Sequence, residues 1–133
     1  MPTMSVTTMD HIDDFEHLIF DHFKDLIKKF DLKLISFSNE SGDEFRLVGH
    51  NSVLVFTYDR GDLRCSFINP DTNRKYLVNL IYKFLYPKEN QFIFSINDTP
   101  SIQIKIYAQV IRERLCNILE GDFSWANQFD KTY

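Results

Sequence analysis

Three side chains able to hold a metal, Asp13, His17 and Asp21, recur at i, i+4 and i+8, which stacks them along one side of a helix. The same spacing describes an ordinary solvated helix face with local pairs such as Asp21–Lys24 and Asp25–Lys29. There is no paired-cysteine zinc pattern beside it, and no metal site is expected. A thiol nucleophile would need Cys65 or Cys116 beside a histidine base, and His50, in a turn, could approach a strand cysteine. Neither cysteine has a glycine-rich or electropositive flank, so both read as buried, reduced thiols. Ser124 sits in Asp-Phe-Ser-Trp-Ala, which is not a nucleophile elbow. Gly42, Gly49, Gly61 and Gly121 are too dispersed for a phosphate loop or a dinucleotide fingerprint. No catalytic residue and no cofactor are assigned, and the chain is not expected to be an enzyme.

Charge is more informative than motif. The chain has 133 residues, with 15 Lys and Arg against 19 Asp and Glu, a formal net charge of −4. Residues 1–31 hold seven acids and three bases, so this stretch alone carries −4. An acidic balance argues against direct binding of nucleic acid, which needs a basic face. It suits an electrostatic surface that docks a basic protein. The candidate docking residues are Asp14, Asp21 and Asp25 on the first helix, with Tyr58, Asp59 and Asp62 at a hairpin.

The elements that would position these residues follow from hydrophobic period. Asp10–Asp31 reads as an amphipathic helix capped by Asp10, with Ile12, Phe15, Ile19, Phe23, Leu26, Ile27 and Phe30 on one arc. Four strands follow, over Leu32–Ser38, Glu44–Val48, Ser52–Tyr58 and Asp62–Ile68. The connections between them are too short for parallel crossovers, which implies an antiparallel meander. One sheet face must pack on helices. The other would show Phe37, Arg46, Tyr58, Arg64 and Ser66, unless a helix covers that face too. Asn69–Asn73 stops the sheet and starts a helix ended by Pro87, although alternation of Tyr76, Val78, Leu80 and Tyr82 keeps a strand open there. Gln91–Ile96 is an edge strand or a packed loop. Thr99 and Pro100 then cap and begin a last long helix that ends at Gly121. A Gln91–Tyr107 hairpin competes with that helix. The expected fold is a single α+β domain over 1–133: an antiparallel four- to five-stranded meander with helices on one face, in the order α-β-β-β-β-α-(β)-α. With no signal-like or membrane-spanning run, a cytoplasmic protein is expected.

Ile118-Leu-Glu-Gly-Asp-Phe-Ser-Trp125, in an acidic chain of this size and layout, resembles small bacterial immunity proteins of contact-dependent inhibition and other polymorphic toxin systems. The resemblance implies a stoichiometric inhibitor, more often monomer than homodimer, that binds a cognate toxin domain and blocks its active or substrate-binding surface. Many such toxins are nucleases with basic clefts, for which an acidic ridge would act as a phosphate mimic. Within the motif, Gly121 would end a helix, Asp122 would accept backbone N–H bonds in the next turn, and Trp125 would fold back on the core. A type III secretion-type chaperone, dimeric and holding an effector segment, is the alternative. A small ligand-sensing domain is a third reading.

Overall fold

A computed structural model describes residues 3–39, 42–89 and 99–133, and side chains within 15–38, 42–89 and 99–133. Helix α1 spans Thr3–Phe30. It begins seven residues before Asp10, which is therefore inside the helix and not its cap. Asp31 ends α1 with a left-handed φ of 52°, and the Leu32 amide donates to the Ile27 carbonyl at 3.0 Å, closing the last turn.

Strands β1 (Lys33–Asn39), β2 (Gly42–Val48), β3 (Val53–Asp59), β4 (Asp62–Asn69) and β5 (Arg74–Leu77) form one antiparallel sheet in sequence order. The expected meander is present, with a fifth strand where a helix start had been expected. Asn69–Asn73 does not begin a helix. Asn73 takes a φ of 62° and donates its amide to the Asn69 carbonyl at 2.7 Å. The chain therefore doubles back, and Asn69 pairs with Arg74. Helix α2 follows at once over Val78–Leu85, so the two periods that compete in the sequence are both used, one after the other. The β3–β4 connection places both Arg60 (φ 54°) and Gly61 (φ 87°) in the left-handed region, as a type I′ hairpin turn requires.

Helix α3 (Pro100–Val110) runs into a π-helical segment, Ile111–Leu115, and then α4 (Cys116–Leu119). Pro100–Tyr107 is thus helical and not the second arm of a hairpin. Gln91–Ile96 lies outside the described residues. Thr99 caps α3 by accepting a bond from the Ile102 amide at 3.3 Å. Thr99→Ala is expected to cost about 1 kcal/mol, seen as a lower urea midpoint with an unchanged m value. At the far end Gly121, φ 99°, donates to the Ile118 carbonyl at 3.0 Å while Asp122 donates to that of Asn117 at 3.1 Å, a two-bond helix stop. A short helix α5, Ala126–Thr132, follows, where the sequence shows only an aromatic tail.

The described helices pack on one sheet face. Phe15 lies 5.4 Å from Phe45 between ring centres, and Phe23 lies 5.3 Å from Phe56. Tyr107 of α3 meets the same Phe56 at 6.3 Å. Beneath α5, Tyr76 takes edge contacts from Trp125 at 5.0 Å and Phe129 at 5.3 Å. Trp125 is buried, as the sequence reading expected, and its Nε1–H donates to the Asp122 carbonyl at 2.9 Å. On the opposite face Lys75 of β5 comes within 4.0 Å of Glu44 of β2, three strands away.

Candidate functional site

The residues open to a partner are best sorted by what already occupies them. Cys65 faces the helices opposite Phe56 and is sealed in the core, where burial pushes its thiol pKa well up. His50 stands at an exposed turn 3.4 Å from Asp31. Both cysteines are free. Asp122 accepts from the Ser124 hydroxyl at 2.7 Å and the Ser124 amide at 3.1 Å. These bonds hold its carboxyl below the usual range and give the pair a turn-forming role. The side chain of Asp13 lies outside the described residues; among those described, no group of three His, Cys, Asp or Glu is placed to hold a metal. No described helix is long and apolar enough to cross a membrane.

Five of the six candidate docking residues have described side chains, and these differ in what already occupies them. Asp14 lies in α1, its side chain outside the described set. Asp21 is exposed on the same helix. Asp25 is occupied: Arg112 donates to it through Nε at 2.7 Å and Nη2 at 2.8 Å, and Nη2 also donates to the His22 carbonyl at 2.8 Å. This two-pronged bond clamps α1 to the π-helical segment. At the hairpin, Asp59 pairs with Arg60 at 3.8 Å and Asp62 with Arg64 at 2.9 Å. Tyr58 does not belong to the open face. It pairs with Leu63 on the helix side and packs at 4.5 Å on Phe15. A one-residue parity decides this, because alternate strand residues point to opposite faces. Phe15 lies where α1 passes the hairpin, and Asp25 is ten residues, about 15 Å, farther along the helix.

Arg112 holds the Asp25 carboxyl below its ordinary pKa through that hydrogen bond. A lowered folded-state pKa means that the pair adds stability above the unfolded value near 4 and loses it as pH falls through the folded value. Both side chains are largely solvated, so the gain is at most about 1 kcal/mol. Arg112→Gln should therefore be less stable than the parent at pH 7, with the gap narrowing as pH falls below about 4; denaturant melts at both pH values measure it. On the other side of the π segment Arg114 donates to Glu89 at 3.0 and 3.1 Å. The Tyr86 hydroxyl donates to the Arg114 carbonyl at 3.2 Å, serving an acceptor in the stretch where the α-helical ladder is interrupted.

Among the described residues, what stands open is the β1 edge of the sheet. Strand β1 pairs with β2 alone among the described residues. Phe37 is 48% exposed and Ile35 36%, side by side on the face away from the helices, and Phe20 of α1 is 48% exposed. Phe20 lines a groove with Glu16, His17 and Leu34 on the helix side of the same edge. Three of the five large apolar side chains exposed among the described residues thus flank one strand. Arg46 covers part of the Phe37 ring at 5.8 Å and donates to Glu44 at 2.6 Å, so that ring is held in place. Of this surface the sequence reading named Phe37 and Arg46, but not Phe20 or Ile35. Phe20 borders the apolar arc of α1, about 20° beyond Ile27 at 100° per residue, so its position in the sequence does not mark it as exposed. Comparison of the chain with protein-family models, curated proteins and solved structures gives no match.

Proposed function

We propose that this chain is an immunity protein, a stoichiometric inhibitor that binds a bacterial toxin domain and occludes its active or substrate-binding surface. The observation that carries the reading is the apolar surface around β1. Isolated exposed hydrophobes are ordinary, whereas a cluster with a fixed aromatic is what an interface needs at its centre. Phe37, beside Ile35 on the open face, provides it, with Phe20 on the helix side of the same edge. The helix beside them belongs to the stretch that holds seven acids against three bases, which favours a basic partner and speeds the encounter. The C-terminal motif that carries the resemblance is accounted for by folding: Gly121 stops a helix, Asp122 closes a turn, and Trp125 anchors α5.

The experiment is co-expression. The probe is the C-terminal domain of the protein encoded immediately upstream, produced in cells with and without this chain. Growth arrest by the domain alone, relieved by the chain, is the expected result. A domain that is harmless, or that arrests growth equally in both cases, overturns the reading.

A further inference from the structure

The phase of the sheet hydrogen bonds fixes which backbone groups of β1 are available. The Gly49 amide donates to the Ser52 carbonyl at 3.0 Å, so the Gly49–Ser52 pair is a bonded one. Bonded and non-bonded pairs alternate along an antiparallel ladder. Leu47–Leu54 and Phe45–Phe56 are therefore bonded across β2–β3, and β2 turns the N–H and C=O groups of Glu44, Arg46 and Val48 toward β1. Their partners are Phe37, Ile35 and Lys33. Leu34, Ser36 and Ser38 thus point their backbone N–H and C=O groups away from the sheet, along the free edge. At the middle of this row the Ser36 hydroxyl donates to Glu16 Oε1 of α1 at 2.6 Å.

We infer that the toxin domain binds by adding an extended segment to this edge as a sixth strand, with apolar side chains beside Ile35 and Phe37 and a Lys or Arg opposite Ser36 that meets Glu16. A strand laid along β1 takes up the outward backbone groups of Leu34, Ser36 and Ser38. Its residue opposite Ser36 points to the helix side, toward the Glu16 carboxylate and the groove of His17, Phe20 and Leu34. Its two neighbours point the other way, against Ile35 and Phe37. The same carboxylate disfavours a second copy of this chain as the added strand. Antiparallel self-pairing centred on Ser36 would set two Ser36 residues opposite each other, each with Glu16 bonded to it, and so bring two like charges together.

The proposal rests on the immunity reading for its probe, the upstream-encoded C-terminal domain. Amide hydrogen exchange is followed on the chain alone and in the complex. The expected result is strong slowing at Leu34, Ser36 and Ser38 on binding, with little change at Asp59–Asp62. Ser36→Pro, which removes one outward N–H at an edge position that tolerates proline, should weaken the complex about tenfold relative to Ser36→Ala. Glu16→Gln, which keeps an acceptor for Ser36 but removes the charge, should weaken it by a similar factor. A complex in which those three amides exchange as in the free chain overturns strand addition and leaves the immunity reading intact, even if Ser36→Pro fails to fold. Failure of the domain to bind at all overturns both.

Discussion

Phe56→Ala is expected to remove about 3–5 kcal/mol of stability. Phe56 joins the sheet to two helices: it is fully buried, receives Phe23 of α1 at 5.3 Å and Tyr107 of α3 at 6.3 Å, and pairs with Phe45 and Cys65 on its neighbouring strands. Truncation loses the transfer free energy of the ring and leaves a cavity beneath two helices that cannot both move in to fill it. Domains of this size hold only about 5–15 kcal/mol in total, so the variant should melt at a far lower urea concentration or be partly unfolded without denaturant. Phe20→Ala is the contrast. Its ring is half exposed, and its loss should change stability by no more than about 0.5 kcal/mol. Circular dichroism in urea reads both. A Phe56→Ala loss under about 1 kcal/mol would mean that the helix–sheet layer is not the core.

Phe37→Asp is expected to do the reverse, sparing the fold and disabling the interface. The ring is exposed on an edge strand and touches Arg46, a contact worth about 0.5–1 kcal/mol at an exposed site. An aspartate there can still face the Arg46 guanidinium. At the centre of an interface the same change removes an aromatic anchor and buries a charge, which costs 2 kcal/mol or more, roughly a thirtyfold rise in Kd. Lysine substitution of Asp59, at the hairpin, supplies the control; a larger loss from that change than from Phe37→Asp would move the docking surface back to the hairpin acids.

The parts legible in the sequence were those with one strong signal. The α1 stripe of Phe15, Ile19, Phe23 and Leu26 is buried as its spacing implies, and the Thr99–Pro100 start and the Gly121 stop are where their cap chemistry puts them. Strand β5 was obscured because Arg74–Leu85 carries both periods, and because the reversal depends on Asn73, a non-glycine residue, taking a positive φ. Helix α5 has seven residues, too few to show a stripe, and its placement comes from Trp125 and Phe129 packing on Tyr76. The π segment leaves no mark in the sequence, since Ile111 and Leu115 keep the apolar spacing of an α-helix. For the site, composition located the acids but not their partners. Asp25 and Arg112 are 87 positions apart, and only the fold brings them together. Tyr58 shows the same limit within a strand: its exposure turned on a parity that the β3–β4 register sets.

Titration calorimetry of the purified chain with the upstream-encoded C-terminal domain tests the central claim most directly. Saturation at one chain per domain, with a Kd in the nanomolar range typical of specific inhibitors and loss of the domain's activity at the same ratio, is the predicted result. Absence of binding heat across conditions where both proteins are folded, or binding that leaves the domain's activity intact, would contradict it.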